Sequence, residues 1–241
     1  MNSMTRGDVE VKSKYGILLR AGIVLLLFCV CVWLGWWERA VLRANTINLP
    51  SIILDAGHGG EDGGAVSLSG EKESQINLDI VKKLDWILGF WGEAPMMLRN
   101  EDISLHDSSA QTLREKKVSD LKQRVELVNQ QTSAMLVSIH QNSYPEQKYK
   151  GTQVFYAPTG GSKQLAEEIQ AAVLQNLQPD NTRTAKQIPE SVYLMNHISN
   201  TAVLVECGFL TNPEEEQMLK QNDYQCRLSL VLATALIDHI E

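Results

Sequence analysis

Two histidines and several carboxylates stand at positions where they could bind a metal ion. His58 lies in a glycine-rich loop after a short apolar segment, and His140 ends another apolar segment. Glu206 follows a third such segment, while Glu71 and Glu73 precede an amphipathic stretch. Two imidazoles and one carboxylate form a zinc ligand set that leaves a position open for water. A further carboxylate can accept a proton from that water, so the pattern indicates metal-assisted hydrolysis.

Each of these residues alone also fits a structural role. His58 could be a turn residue, His140 a hydrogen-bonded core histidine, and Glu206 the partner of a nearby base. A glycine-rich loop can bind phosphate at a helix N-terminus. However, the sequence contains neither GxGxxG nor GxxxxGK[ST], and HExxH is absent as well. The metal hypothesis therefore depends on whether three distant segments meet in the fold.

The elements that must position these residues alternate between strands and helices. This alternation predicts a single α/β domain with a mostly parallel, twisted sheet and helices on both faces. In such sheets ligands bind at the carboxyl ends of the strands, where His58, His140 and Glu206 stand. Apolar runs predict strands at 51–55, 94–99, 134–140, 152–157 and 202–205, and helical periodicity predicts helices at 74–89, 118–128, 165–177 and 224–241, with a loop at 103–116.

The N-terminal part of the chain has the composition of a membrane anchor. Residues 21–37 carry no charge and are mostly Leu, Val, Cys and Trp. At about 1.5 Å per residue this run falls just short of a ~30 Å hydrocarbon core, and extension back to Tyr15 makes it long enough. Basic residues precede it, which favours a cytoplasmic N-terminus. A buried core helix and a cleaved signal peptide are the alternatives, but no small-x-small cleavage site follows the run.

We therefore expect four regions along the chain. Their predicted bounds are 1–14 for a cytoplasmic N-terminus, 15–37 for a transmembrane signal-anchor, 38–50 for a linker and 51–241 for one catalytic domain. The catalytic domain would then lie on the extracytoplasmic side of the membrane.

Composition excludes several classes of function. The chain of 241 residues is 44% hydrophobic and 21% charged, and its formal net charge is −7. It has no basic tract, so nucleic acid is not an expected partner. Only Cys207 and Cys226 fall in the predicted domain, and they lack CxxC spacing, so a cysteine-rich zinc site is not indicated. A bridge between these two cysteines is possible, but their spacing does not establish it.

Four sequence blocks carry a resemblance to a known family. In chain order they read LDAGHGG (54–60), ESQINL (73–78), VSIHQN (137–142) and LVECGFLTN (204–212). Together they resemble the zinc-dependent N-acetylmuramoyl-L-alanine amidases of the amidase_3 type. The blocks occur in the family's order and extend over the whole predicted domain.

The resemblance implies a role for each matching residue. His58, Glu73 and His140 would bind one Zn²⁺ ion, and Glu206 would be the catalytic glutamate. Glu73 is preferred to Glu71 because the family's Asn-Leu pair follows the ligand by four and five residues, as residues 77–78 do here. The first block departs from the family in having alanine where proline is usual, which changes loop stiffness but removes no ligand.

The resemblance also implies a reaction and a setting. The substrate would be peptidoglycan, cleaved at the amide between the lactyl group of N-acetylmuramic acid and L-alanine of the stem peptide. Segments 120–125, 181–186 and 192–195 are similar to the branch associated with sporulation, in which this cleavage begins muramic-δ-lactam formation in spore cortex and is needed for germination. Asn142 and Arg183 are candidate substrate contacts.

Two other functions remain open at this point. The chain could be a non-catalytic peptidoglycan-binding module with a structural zinc ion, or a zinc carboxypeptidase that acts within the stem peptide. Division amidases of the family often carry an inhibitory helix, whereas segment 102–117 here is short. We therefore expect control by a separate protein partner or by timed expression.

Overall fold

The computed structural model describes residues 22–33 and 51–240, and the chain divides into two units between Ile47 and Asn48. In the first unit, residues 22–33 form helix α1, whose side chains are exposed. Within the described residues, no helix combines the length and apolar character needed to cross a membrane. Both ends of the predicted anchor at 15–37, and all of 1–14 and 38–50, lie outside the described residues.

The described part of the second unit contains six strands and six helices. The strands are β1 (Ser51–Ala56), β2 (Met96–Met97), β3 (Ala134–Asn142), β4 (Gln153–Tyr156), β5 (Lys186–Gln187) and β6 (Thr201–Phe209). The helices are α2 (Glu73–Phe90), α3 (Leu113–Asn129), α4 (Ser162–Asn176), α5 (Tyr193–Asn196), α6 (Pro213–Leu219) and α7 (Asn222–Ile240).

All six strands form one sheet in the order β2-β1-β3-β6-β4-β5. Four neighbouring pairs are parallel, but β4 runs antiparallel to β6. The sheet is therefore mostly parallel, as predicted, but this one antiparallel pair makes it a mixed sheet. The reason is the connection from β3 to β4, which spans 143–152 and contains no helix. A parallel return needs a crossover of about a dozen residues or more, so this short connection reverses the strand direction.

Helices cover both faces of the sheet, as predicted. On one face, residues such as Ile52 and Leu54 pack against α2, α4 and α7. On the other face, Ile53 and Leu136 pack with residues of α3 and α5. Successive residues of β1 thus enter opposite cores, because side chains of a strand alternate between the two faces. A sheet with both faces buried explains the continuous apolar runs of β1 and β3.

Capping explains why α3 begins earlier than the apolar pattern predicts. Thr112 accepts a hydrogen bond from the backbone N–H of Glu115, and the Glu115 carboxylate accepts one from the backbone N–H of Thr112. This capping box satisfies two amide groups that the first turn leaves unpaired. The helix consequently starts at Leu113 instead of 118, and the predicted loop at 103–116 is shorter.

Polar residues replace apolar ones at the carboxyl ends of the central strands. Asp55 of β1 is paired in register with Ser138 of β3, and their side chains are hydrogen bonded at 2.6 Å. Two residues further along β3, His140 is paired with Glu206 of β6, which is also paired with Gln153 of β4. Paired residues of neighbouring strands point to the same face. The fold therefore collects these side chains at one edge of the sheet.

Candidate active site and metal centre

The three predicted metal ligands come together at this edge. His58 lies in the loop after β1, Glu73 is the first residue of α2, and His140 belongs to β3. Oε1 of Glu73 is 3.4 Å from Nε2 of His58 and 3.0 Å from Nδ1 of His140. One ligand atom from each residue lies within 4.8 Å of the others. The side chains thus converge from three separate segments of the chain.

This donor set fits zinc. Zinc binds imidazole nitrogen and carboxylate oxygen at about 2.0–2.2 Å, so two tetrahedral ligands stand about 3.4 Å apart. The measured separations of 3.0 and 3.4 Å between Glu73 and the two imidazoles are close to that value. The two imidazole rings meet edge to face with centroids 5.1 Å apart, so both can present a nitrogen to one point.

Glycine is required where the loop passes the ligands. A Cβ atom added to Gly57 would lie 2.2 Å from the His140 ring. One added to Gly64, where φ is +68°, would lie 2.5 Å from a carboxylate oxygen of Glu73. Any larger residue would displace a ligand side chain. His58 itself has φ of 63°, an uncommon conformation for a residue with a Cβ atom, which the surrounding contacts must maintain.

Glu73 is held as a carboxylate by donors on every side. Its oxygens accept backbone hydrogen bonds from Ala65 at 2.8 Å and Gln141 at 3.0 Å. Asn77, one turn further along α2, also donates to it at 3.3 Å. Burial alone would raise the pKa of Glu73, but hydrogen bonds from His140 and His58 hold it well below its usual range. Glu73 is therefore ionised and ready to bind a cation.

Asp62 fixes the orientation of the His58 ring. Its carboxylate is 3.0 Å from Nδ1 of His58, which leaves Nε2 directed towards Glu73. Lys117 is paired with the same carboxylate at 3.1 Å. Burial alone would lower the pKa of His58, but hydrogen bonds to Asp62 and Glu73 raise it to about 9 in the metal-free protein. A carboxylate behind a histidine ligand is a common means of fixing its tautomer.

A buried arginine supports the loop that carries His58. Arg124 of α3 is 2% exposed and forms ion pairs with Asp55 and, at 2.7 Å, with Asp120. Its guanidinium also donates to the carbonyl oxygens of Ala56 at 3.0 Å and His58 at 2.8 Å. The guanidinium thus connects β1, α3 and the loop through one rigid group.

A second arginine completes the support of the loop. Arg99 is 2% exposed and donates to the carbonyl oxygens of Ala56, Gly57 and Ser74 at 2.8, 3.1 and 2.8 Å. Ser74 follows Glu73, so this side chain joins the His58 loop to the start of α2. The backbone that carries His58 and Glu73 is therefore held in place by hydrogen bonds from the guanidinium groups of Arg124 and Arg99.

Glu206 lies beside the cluster and has a free carboxylate oxygen. It is paired in register with His140, and its Oε2 is buried without a hydrogen-bond partner in the described part of the chain. Burial raises the pKa of Glu206 to about 7, and the neighbouring charges alter it less. A carboxylate with a pKa near neutrality can both accept and release a proton.

The other predicted residues have different positions. Glu71 is exposed and lies outside the cluster. Asn142 ends β3, and its backbone carbonyl accepts a hydrogen bond from Leu210 at 2.9 Å. Arg183 is partly buried and stacks on Phe209, with its guanidinium carbon 4.8 Å from the ring centroid. Neither Asn142 nor Arg183 belongs to the metal-binding cluster.

A family match agrees with this geometry. The model of the Amidase_3 family, described as N-acetylmuramoyl-L-alanine amidase, matches residues 52–238. The chain belongs to the Amidase_3 family. The matched range contains all three residues of the metal-binding cluster and Glu206. This amidase is therefore an enzyme of the N-acetylmuramoyl-L-alanine amidase class.

Three individual proteins are similar to this amidase. The amidase is 36% identical over 181 residues to the germination-specific N-acetylmuramoyl-L-alanine amidase of Bacillus subtilis, an alignment that covers 74% of each chain. The solved structure of the CwlD amidase from Clostridioides difficile in complex with the GerS lipoprotein is 34% identical, with a TM-score of 0.75. That match covers 79% of this chain and 98% of the solved one. An N-acetylmuramoyl-L-alanine amidase from Clostridium difficile 630 is 27% identical, with a TM-score of 0.68, and covers 79% and 96%.

Several supporting residues of this amidase were not identified from the sequence. Asp62 and Arg99 have no distinctive spacing relative to the ligands, and Asn77 was used only to choose between Glu71 and Glu73, not as a hydrogen-bond donor to Glu73. Arg124 lies in segment 120–125, and its sequence position does not show that this ion-paired side chain is buried. The sequence does contain one signal for this ion pair. Asp120 precedes Arg124 by four residues, and residues four apart on a helix are neighbours. Cys207 and Cys226 are both free in the structure, so no bridge joins them.

Proposed function

We propose that this amidase is zinc dependent and hydrolyses the amide between the lactyl group of N-acetylmuramic acid and L-alanine of the stem peptide. One observation carries the proposal. The cluster of His58, Glu73 and His140 stands beside a carboxylate, Glu206, that has an unpartnered oxygen. Three ligands leave a position open on zinc for water or substrate. A purely structural zinc site would have no use for that free carboxylate.

In this proposal, the residues of the chain divide the chemistry. His58, Glu73 and His140 would hold one zinc ion, which when bound polarises the scissile carbonyl and lowers the pKa of water. Glu206 accepts the proton of the attacking water and then donates it to the departing L-alanine nitrogen. In the metal-free protein burial raises the pKa of Glu206 to about 7, as expected for a group that both accepts and releases a proton. The products are a muramic acid residue without its peptide and a free stem peptide.

Replacement of Glu206 and of the histidines tests these separate roles in proton transfer and in zinc binding. Glu206→Gln should retain zinc but lose about 10²–10⁴-fold in turnover, because the general base and acid is removed while the ligands stay in place. His58→Ala and His140→Ala should lose zinc as well as activity. The measurements are elemental analysis of zinc and mass spectrometry of products released from purified peptidoglycan, with and without chelator.

The products of the same digestion separate the competing functions. Whole stem peptides beginning with L-alanine indicate the amidase reaction, whereas released D-alanine indicates a carboxypeptidase. A binding module would release neither. If Glu206→Gln released stem peptides at the wild-type rate, another group would have to move the proton.

The biological setting is a further part of the proposal. The similarity to a germination-specific amidase supports action in spore cortex, where the cleavage would begin muramic-δ-lactam formation. The C. difficile relative was solved with a lipoprotein, which supports regulation by a protein partner here. The apolar sequence at 15–37 supports a membrane anchor with the catalytic domain outside the cytoplasm. Spores made with the Glu206→Gln protein alone should lack muramic-δ-lactam.

A further inference from the structure

A cavity opens at the same edge of the sheet as the cluster of His58, Glu73 and His140. Its volume is about 480 Å³, within the range of ordinary ligand sites. Gly151, just before β4, and Arg183, just before β5, both line it. Gln153, the first residue of β4, is paired with Glu206. Gln153 thus connects the two sites, because its backbone is paired with Glu206 and its side-chain oxygen accepts a hydrogen bond from Arg183 at the cavity wall.

Arg183 is held rigidly at the wall of this cavity. Its guanidinium stacks on Phe209 at 4.8 Å. Its Nε donates to the carbonyl oxygen of Lys150 at 2.9 Å, and its Nη1 donates to Oε1 of Gln153 at 3.3 Å. Nη2 donates to none of the residues that the structure describes. A guanidinium fixed in this way loses little entropy when its remaining N–H groups bind a carboxylate.

Charged side chains of both signs line the cavity, so it does not attract every anion. Lys148 and Lys150 line it, but so do Asp180 and Glu214. A further lining residue, Glu215, has both oxygens occupied, because they accept hydrogen bonds from the backbone N–H groups of Gly151 and Phe209 at 2.8 Å each. Opposite charges largely balance, so a ligand must be recognised by the geometry of the Arg183 fork.

We propose that Arg183 binds the free α-carboxylate of the glutamate that follows L-alanine in the stem peptide. This inference rests on the proposed function, which places the L-alanine nitrogen at Glu206. Glutamate in a stem peptide is joined through its side-chain carboxyl group, so its α-carboxylate stays free only one residue from the cleaved bond. Gln153 lies between Glu206 and Arg183, and a peptide that passes it would deliver that carboxylate to Nη2. The rest of the peptide would occupy the cavity.

A pair of soluble substrates tests the inference. The two are muramoyl peptides that differ only in the glutamate α-group, which is a carboxylate in one and a carboxamide in the other. The wild-type, zinc-loaded full chain should cleave the carboxylate form with a kcat/KM about tenfold higher, the value of one charge-assisted hydrogen-bond pair. Arg183→Gln should remove this preference by slowing only the carboxylate substrate. Arg183→Lys should restore part of it, because lysine keeps the charge but lacks the planar fork.

A matched control and the contrary outcomes complete the experiment. Lys163→Gln removes an exposed cation outside the cavity and should leave the preference unchanged. Zinc content and thermal unfolding of each variant show whether a loss of activity comes from loss of zinc or of stability instead of from loss of the Arg183 contact. Equal wild-type rates on the two substrates would overturn the inference without any variant. Equal losses on both substrates in Arg183→Gln would also overturn it. If wild-type enzyme released no L-alanine-linked peptide from either substrate, the proposed function would fail instead.

Discussion

The charge on His58 couples metal binding to pH. In the metal-free protein, Asp62 and Glu73 both face the imidazole, and its pKa is about 9. The ring is therefore protonated at pH 7.5, whereas a histidine that binds zinc must give up a proton. Zinc and the proton compete for the same nitrogen. The carboxylates that would favour a metal cation at the site thus also favour the protonated form of His58 in the metal-free protein.

Zinc binding at pH 7.5 should consequently release about one proton from His58. Calorimetric titration of zinc into apoprotein, in two buffers of different ionisation enthalpy, gives the number of protons released. Asp62→Asn removes one charge that raises the pKa of His58, so fewer protons should be released at the same pH. Asp238→Asn on α7, which lies outside the site, should leave the number unchanged. No difference between the two buffers for the wild-type protein would contradict the assignment of the raised pKa.

A second prediction at this scale concerns Gly57. Gly57→Ala should reduce zinc affinity and activity by more than about tenfold, because the new Cβ would stand 2.2 Å from the His140 ring. Gly89→Ala is the control, since a Cβ there meets nothing within 4 Å. That change lies near the end of α2 and should leave activity unaltered while stabilising the helix by about 0.5–1 kcal/mol. Zinc titration and thermal unfolding of both variants check the contrast. A Gly57→Ala protein with wild-type zinc affinity would show that His140 can move without loss.

At the scale of elements, β1, α3 and the His58 loop are connected by Arg124. A guanidinium that is 2% exposed between Asp55 and Asp120 is stable only while all of its partners remain. Those partners hold its pKa above the usual range for arginine, so the side chain is a fixed cation. Ser138 donates to the same Asp55, which extends the network into β3.

Arg124→Met should destabilise the apoprotein by about 3–5 kcal/mol, because two buried carboxylates lose their counter-charge. Urea unfolding of the chelated protein measures this loss. Lys122→Met, on an exposed part of the same helix, is the control and should change stability by less than about 0.5 kcal/mol. Asp120→Asn should show a smaller loss than Arg124→Met, since the pair with Asp55 persists. Similar stability of Arg124→Met and wild type would mean that the loop does not depend on this network.

At the scale of the whole molecule, the chain separates into two units near residue 47. Both cores of the second unit are built from its own strands and helices, and every residue of the metal-binding cluster comes from it. Its fold and chemistry are therefore expected to be independent of residues 1–47. The membrane anchor proposed at 15–37 falls within the first unit.

Removal of residues 1–47 should thus leave kcat/KM on a soluble muramoyl peptide within about twofold of the full chain, as expected for independent domains. The same truncation should move the protein from the membrane fraction to the soluble fraction of cells. Enzyme assays and fractionation of cells that express the two forms provide the measurements. Loss of activity without loss of zinc or folding would show that the first unit contributes to catalysis. Equal distribution of the two forms between fractions would contradict the anchor.

The sequence by itself determined which segments are buried and which residue types could do chemistry. Apolar runs and helical spacing are local properties, so β1, β3, α2 and α7 were predicted close to their observed bounds. The order of the four family blocks predicted His58, Glu73 and His140 as a group of metal ligands, and these side chains do lie together in the structure. The sequence also shows that no helix separates β3 from β4. The direction of β4, however, depends on which strand it pairs with, and the sequence does not specify that strand.

Only the tertiary structure decided the strand order, the direction of β4 and the supports of the site. Strand pairing joins residues distant along the chain, so no local pattern specifies that Gln153 stands opposite Glu206. The burial of Arg124 likewise depends on Asp55, 69 residues away, whose charge makes an interior cation tolerable. The local sequence indicates which residue types could be ligands. The charged side chains and carbonyl groups that hold those ligands in place belong to segments that only the fold brings together.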